Sequence, residues 1–287
     1  MERRTSSRRT DDDDRIAVRG GGAISLRVLL GAAVSCVLAM PRAQAQTVAD
    51  RGAGIEVRGA LPFSVGEQLV YKVVFGKIPV GTARMSVVGV EDVRGHPAYH
   101  LVFTIDGGIP LLFRVHDRYD SWIDTLTLAS RRHVEEIRQG RYTRNTRYEI
   151  FPEEKKYREN NDTLKASVDA PLDEWSFIYF IRTIRVAVGQ TREFQRYFKP
   201  DRNPVVVRAL RRDTVEVPSG RYPTVVVRPT IRAKGIFAED GQAELWFSDD
   251  ARRMLVQMKT KFAGFSLSLL LTDVRTDVRT DVRTDGA

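Results

Sequence analysis

Residues 114–124 of this 287-residue sequence combine a histidine with several carboxylates in one short segment. The side chains in this segment that could take part in catalysis or ion binding are those of Arg114, His116, Asp117, Asp120 and Asp124. A histidine beside a carboxylate suits general acid–base catalysis, and several carboxylates together suit a bound cation. One hypothesis is therefore a hydrolase or metal-dependent enzyme centred on His116, Asp117, Asp120 and Asp124.

The residues between these polar side chains favour another interpretation. The polar positions alternate with Phe113, Val115 and Tyr119, which is typical of an amphipathic strand. Because adjacent residues of a strand point to opposite faces, His116 and Asp117 are poorly placed to act together. The pattern favours a polar strand face, and we predict no catalytic residue in this segment.

Familiar enzyme signatures are missing from the rest of the sequence. It contains no H-E-x-x-H motif, no cysteine cluster, no G-x-S-x-G nucleophile elbow and no G-x-x-x-x-G-K-S/T phosphate loop. We expect each of the four histidines to be exposed or hydrogen-bonded within the fold: His96, His100, His116 and His133. We therefore predict that the protein is not an enzyme and holds no cofactor and no metal.

The elements that must position these residues are strands. From Phe63 onward, short apolar–polar alternations such as residues 69–75 and 99–105 are separated by Gly, Pro, Asn and Asp. Short strands without intervening helices predict an all-β, mainly antiparallel sheet that is curled, barrel-like or β-spiral, with one or two short helices. Residues 171–182 begin with proline and acids and are apolar on several faces. They predict a helix buried in the concave sheet, with a central strand as the alternative.

A strongly curved sheet around a helix can enclose a mostly apolar cleft, which suits a lipid or acyl chain. Seven aromatic residues are the candidate lining of such a cleft: Trp175, Phe177, Tyr179, Phe180, Trp246, Phe262 and Phe265. The alternative for each of them is an ordinary place in the packed core.

The first 45 residues are typical of an export signal. A basic region precedes an apolar run of about a dozen residues, and Ala43 and Ala45 stand at positions −3 and −1 of a cleavage site. The run is shorter than the roughly 20 residues that span a bilayer. Residues 1–45 are therefore predicted to be a signal peptide, with a lipoprotein anchored at Cys36 as the alternative. We predict a mature chain without a transmembrane segment, in the periplasm or at the periphery of the outer membrane.

Composition and charge exclude several further classes of protein. A hydrophobic fraction of 42% excludes disorder throughout the chain, and a single cysteine excludes a disulfide scaffold. The formal net charge is +9, but without residues 1–45 the chain has 38 basic and 32 acidic residues, a net charge of +6. No basic run is interleaved with stacking aromatics, so nucleic acid is not a predicted partner. The excess charge favours anionic head groups or lipopolysaccharide phosphates.

The order of motifs resembles one known family. They run from Phe63-x-x-Gly66-Glu67-x-Leu69-x-Tyr71 and Gly81-Thr82-Ala83 through residues 113–124, 175–182 and 217–222 to Trp246-Phe247-Ser248-Asp249-Asp250 with Arg252-Arg253. This order resembles DUF3108, a domain of unknown function found in bacterial envelope proteins. The resemblance implies an exported, mostly antiparallel β domain without an established activity. By fold-level analogy the plan is also similar to curled β-spiral envelope-integrity proteins.

Residues 46–60 are polar and glycine-rich and are predicted to be a linker, followed by the DUF3108-like β domain at residues 61–271. Residues 272–287 repeat Thr-Asp-Val-Arg and are predicted to be a disordered tail, because one valine per unit cannot build a core. The leading functional hypothesis is a non-catalytic periplasmic protein that binds a lipid, a glycan or an envelope protein. The enzyme centred on the residue 114–124 segment is the alternative.

Overall fold

The structure is a computed structural model, and it describes residues 47–50, 60–109, 113–232, 237, 243–262 and 265–276. The predicted signal peptide, residues 1–45, lies outside the described residues. Most of the predicted linker and the last part of the predicted tail also lie outside them.

Fifteen strands form a single sheet, and of their pairings only that of the first strand is parallel within the described residues. The strands are β1 (Thr47–Asp50), β2 (Gln68–Phe75), β3 (Ile78–Val93), β4 (His96–Ile109), β5 (Phe113–Asp124), β6 (Ser130–Gln139), β7 (Tyr142–Phe151), β8 (Lys156–Glu159), β9 (Lys165–Ala166), β10 (Thr191–Phe194), β11 (Val205–Val217), β12 (Gly220–Thr230), β13 (Glu244–Ser248), β14 (Leu255–Phe262) and β15 (Phe265–Arg275). The helix α1 (Glu174–Thr183) and a 3₁₀ turn (Pro200–Arg202) complete the fold. The predicted fold class is confirmed.

The strand order explains how the sheet encloses a core. It runs β1-β10-β11-β12-β13-β14-β15-β2-β3-β4-β5-β6-β7-β8-β9, so the last strand lies beside β2 in the middle of the sheet. The outermost strands, β1 and β9, do not pair with each other in the described part of the chain. The sheet is therefore curled around the core without being closed by hydrogen bonds.

The helix α1 packs inside the curl. Asp173 is its N-cap: the carboxylate accepts hydrogen bonds from the backbone N–H groups of Trp175 and Ser176. The Ser176 hydroxyl accepts from the Asp173 backbone N–H in return, which completes a capping box. The indole of Trp175 stacks on Phe103 of β4 at a centroid distance of 3.7 Å. The predicted helix at residues 171–182 is thus confirmed, and its apolar faces are buried as that prediction requires.

A buried ion pair fixes the other end of α1. Arg182 is fully buried and donates to both carboxylate oxygens of Glu67, at 2.6 and 2.9 Å. It also donates to the backbone carbonyls of Pro62 and Arg252. Because a buried charge left without its partner costs about 3–5 kcal/mol, this pair locks the helix to the segment before β2.

Two predicted boundaries need correction. Strand β15 continues to Arg275, so residues 272–275, the first repeat unit, belong to the sheet and not to the tail. A bulge after Leu271 shifts the register, and the Thr272 hydroxyl donates to the Val70 carbonyl at 3.0 Å. Backbone pairing needs no apolar repeat, which is why composition missed it. Likewise, Thr47–Asp50 within the predicted linker forms β1 beside β10.

Candidate functional site

The structure separates the polar residues of 114–124. Alternation along β5 places Arg114, His116, Asp120 and Asp124 on the outer face and Asp117 on the inner face. All three aspartates are buried, whereas Arg114 and His116 are exposed. At about 3.3 Å per residue, His116 and Asp120 lie about 13 Å apart along the strand. The predicted polar cluster therefore does not converge, and the arrangement that the enzyme hypothesis requires is not formed.

Each carboxylate of this segment has its own structural partners. Asp120 is bound by His100 at 2.6 Å, and the Asp124 carboxylate accepts from Arg131 at 2.8 Å. Burial would raise the pKa of Asp120 and of Asp124, but the hydrogen bonds outweigh burial and hold both pKa values below the ordinary range. Burial does raise the pKa of Asp117, against hydrogen bonds from Gln139 and the Arg138 backbone.

His116 is mostly exposed, and its Nδ1 lies 3.1 Å from a carboxylate oxygen of Asp106 on β4. Among the described residues, no group of three or more His, Cys, Asp or Glu side chains is arranged to hold a metal ion.

The candidate cleft residues fall into three groups. Trp175, Phe177, Tyr179 and Phe180 lie in α1, are buried and belong to the hydrophobic core. Trp246 lies on the outer face instead, so its assignment to the concave lining is corrected. The side chains of Phe262 and Phe265 lie outside what the structure describes.

The position of Trp246 follows from its strand register. Its flanking residues in β13, Leu245 and Phe247, belong to the core, whereas Trp246 does not. The indole N–H donates to Asp213 at 3.0 Å, and the Arg211 guanidinium lies 5.6 Å from the ring centroid.

Sequence reasoning missed a buried polar network beneath the N-terminus of α1. The Ser121 hydroxyl donates to Asp173 at 2.8 Å and lies 3.2 Å from His133 Nδ1, and the Ser130 hydroxyl donates to the other Asp173 oxygen at 2.7 Å. All four side chains are at most 2% exposed. The expectation of a hydrogen-bonded histidine describes His133 well, but nothing in the sequence linked it to Asp173.

This serine, histidine and aspartate do not form a hydrolase triad. Burial by itself would lower the pKa of His133, but the charges of Asp173 and Glu135 raise it to about 9. The imidazole is therefore protonated at neutral pH and has no lone pair with which to accept the Ser121 proton. That proton is donated to Asp173, which is already the helix cap. The network holds α1 in the sheet.

A groove on the outer face gathers charged side chains from several elements. It has a volume of about 510 Å³ and is lined by Arg94, Arg132, Arg147, Glu149, Phe151, Arg158, Asn160 and Asn161. We call it the basic groove. Strand register builds it, because Arg132 of β6, Glu149 of β7 and Arg158 of β8 lie directly opposite one another.

Glu149 is the central anion of the basic groove. Its carboxylate accepts from Arg132 Nε at 2.9 Å and Arg147 Nε at 2.7 Å, and it also pairs with Arg94. Burial would raise the pKa of Glu149, but these arginines outweigh burial and hold it below the ordinary value. The carboxylate is therefore ionised at neutral pH and orients three guanidinium groups.

Arg94 enters the basic groove from the tight turn between β3 and β4, where its φ is +57°. Its guanidinium donates to the carbonyls of Arg131 and Ile150, at 2.8 and 2.6 Å, and lies 4.5 Å from the Phe151 ring centroid. Burial lowers its pKa, with Glu149 opposing that shift. These contacts hold the Arg94 side chain in one position at the edge of the groove.

The basic groove carries more positive than negative charge. Four arginines surround one carboxylate, and the exposed Arg158 forms no ion pair with any described residue. This site is not apparent from the sequence, because its arginines come from four separate elements and each one alone is typical of a solvated strand face.

In the part of the chain that the structure describes, a curled, mostly antiparallel sheet packs around helix α1, which is a β-barrel-like fold. A solved β-barrel-like protein of the domain of unknown function DUF1849, from Brucella abortus, has a similar fold, with a TM-score of 0.51 and 10% identity over 75% of this chain and 99% of that chain. A candidate lipoprotein from Parabacteroides distasonis aligns over 75% of this chain and 97% of its own, with a TM-score of 0.34 and 11% identity. No curated protein matches the sequence.

The chain belongs to the DUF3108 family, which is described as proteins of unknown function and whose sequence profile matches residues 70–269. The predicted family is confirmed. In the described part of the chain, no helix is both long enough and apolar enough to cross a membrane.

Proposed function

We propose that this DUF3108 protein is an exported, non-catalytic binding protein of the bacterial envelope that holds a lipid, a glycan or an envelope protein at the basic groove. The observation that carries the proposal is the surplus of arginines around Glu149 in a groove of about 510 Å³. Ligand sites are commonly concave and of a few hundred to about 1,000 Å³. Envelope lipids and glycans commonly carry the negative charges that such a surface attracts.

The placement of the other candidate residues supports the outer face as the binding surface. The helix residues that were candidates for a cleft lining are packed into the core. The proposed location is the periplasm, in solution or at the periphery of the outer membrane, and its support is the signal-like sequence of residues 1–45.

The absence of catalysis is part of the proposal. It is supported by the separation of His116 from Asp120 and by the protonated, helix-capping role of the His133 network. A catalytic function would need a nucleophile or a general base in an accessible pocket.

Native mass spectrometry tests the binding proposal. The mature protein is mixed with a detergent-solubilised lipid and glycan extract of bacterial envelopes, and a one-to-one adduct is expected. Replacement of Arg158 by Glu should abolish the adduct, because it reverses an exposed charge in the basic groove. Arg221→Glu on β12, also exposed but outside the groove, is the matched control and should retain it. Ligand-free protein in every extract would overturn the proposal, and an adduct that Arg158→Glu retains would overturn the assignment of the ligand to the basic groove.

A further inference from the structure

We infer that the basic groove recognises a phosphate monoester, the group shared by a lipid head group, a phosphorylated sugar and free phosphate compounds. The inference rests on the proposed function and names the chemistry of the group bound at the same site. Three properties of the groove carry it: the guanidinium donors, the charge balance and the space around them.

The first property is the set of guanidinium donors that face the groove. Arg132 uses its Nε to hold Glu149, and neither of its terminal nitrogens has a hydrogen-bond acceptor among the described residues. Arg147 also binds Glu149 through Nε and Nη2, and its side chain is 53% exposed. Arg158 has no internal partner in the described part of the chain. A planar guanidinium presents paired N–H donors that match the oxygens of a phosphate.

The second property is the position of these donors on neighbouring strands. Arg132 and Arg158 flank Glu149 in one row across β6, β7 and β8. Neighbouring strands lie about 4.8 Å apart, so the two arginine backbones are about 10 Å apart. Side chains as long as arginine can converge on one group above Glu149 from this distance.

The third property is the charge balance. Four arginines against one carboxylate leave a net charge of +3 in the groove. A carboxylate ligand would leave +2, and a neutral sugar would leave the full +3 partly desolvated. A phosphate monoester carries a charge between −1.5 and −2 at neutral pH, so of these three ligand types it compensates the surplus most fully.

Glu149 remains in place as a positioning residue. Its carboxylate is mostly buried, and three arginines hold it, so a ligand adds to this cluster instead of displacing the glutamate. Asn160 Oδ1 accepts from the Arg147 backbone N–H at 2.9 Å, which leaves the amide NH₂ as a donor beside the groove. The exposed Asn161 adds a second amide. These amides suit the hydroxyl groups of a glycerol or a sugar attached to the phosphate.

Isothermal titration calorimetry at constant ionic strength tests the inference. The probes are inorganic phosphate, glycerol 3-phosphate and phosphatidylcholine vesicles with or without phosphatidic acid, and acetate is the monoanion control. We expect the phosphate probes to bind and acetate to bind at least about tenfold more weakly, because acetate offers the arginines fewer charged oxygens. Binding should weaken steeply as salt is added.

The informative variant is Arg158→Gln, because this exposed side chain has no described internal partner and its loss leaves the Glu149 cluster intact. It should weaken phosphate binding about tenfold or more, whereas Arg221→Gln should leave the affinity within about twofold of the wild type. Binding of the soluble monoesters indicates a free phosphate compound, and binding of the phosphatidic acid vesicles alone indicates a lipid head group. Both results support the inference.

Equal binding of acetate and phosphate, or an unchanged affinity in Arg158→Gln, would overturn the inference. The envelope-extract experiment distinguishes its failure from that of the proposed function. An Arg158-dependent adduct in native mass spectrometry without binding of any phosphate probe refutes the phosphate chemistry and leaves the binding function standing. The absence of both refutes both.

Discussion

At the scale of single residues, His133 shows how a side chain that looks catalytic can be structural. It lies 3.8 Å from Asp173 and 3.4 Å from Glu135, and its ring stacks on Tyr148 at 5.9 Å between centroids. The negative charges of Asp173 and Glu135 therefore compensate the buried imidazolium for its lost hydration. The consequence is a fold whose stability depends on the protonation of one histidine.

The stability of the protein should fall as the pH rises through about 9. The pKa of His133 is about 9 in the folded protein and 6.5 in the unfolded chain. The protonated histidine thus contributes fully below about pH 6.5, and its contribution is lost as the pH rises through 9. The difference corresponds to roughly 3 kcal/mol of unfolding free energy. Urea denaturation at pH 6.5, 8 and 10 measures it.

Two variants isolate the contribution of His133 from those of other titrating groups. His133→Asn should be less stable at pH 6.5 and should lack most of the decline toward pH 10. His116→Asn, at an exposed histidine of the same sheet, should follow the wild-type curve. Parallel curves for wild type and His133→Asn would show that the buried charge does not stabilise the fold.

At the scale of elements, the long hairpin of β3 and β4 depends on a close approach of two glycines. Gly81 and Gly107 are directly paired, and a Cβ on Gly81 would lie 2.7 Å from the Gly107 Cα and closer still to the Asp106 carbonyl oxygen. Both obstacles are backbone atoms, so no side-chain rotation can relieve the contact. Gly81 in the motif Gly81-Thr82-Ala83 is therefore required by packing.

Gly81→Ala should destabilise the protein by about 1–3 kcal/mol, the usual cost of forcing extra volume into a packed site. Gly89→Ala on the same strand is the matched control, because a Cβ there meets nothing within 4 Å. It should be neutral or stabilising by up to about 1 kcal/mol, since glycine weakens a strand interior. Thermal unfolding of both variants compares them, and equal melting temperatures would refute the packing role.

Local sequence patterns predicted most of the elements, for a physical reason. Period-two alternation reports directly which face of a strand is buried, as in β2, where Leu69, Tyr71 and Val73 are buried in turn. The start of α1 is also encoded locally, because its capping residues lie within a few positions of one another in the sequence. The end of β15 was missed because its pairing with β2 depends on the partner strand and not on its own composition.

At the scale of the whole molecule, the candidate site could not be predicted from sequence. Arg94, Arg132, Arg147 and Arg158 are separated by up to 64 positions, and only the register of β6, β7 and β8 brings three of them to Glu149. The helix α1 meanwhile occupies the concave face where the sequence placed a cleft. The groove on the outer face therefore depends on long-range strand pairing, which no local sequence pattern reports.

We propose that ligands bind at the outer basic groove and not beneath α1. Hydrogen–deuterium exchange of the mature protein, with and without the solubilised envelope extract, tests it most directly. We expect slower exchange of β7 and β8, residues 142–159, with exchange in α1, residues 174–183, unchanged. Protection confined to α1 and its inner-face contacts, with β7 and β8 unaffected, would contradict it.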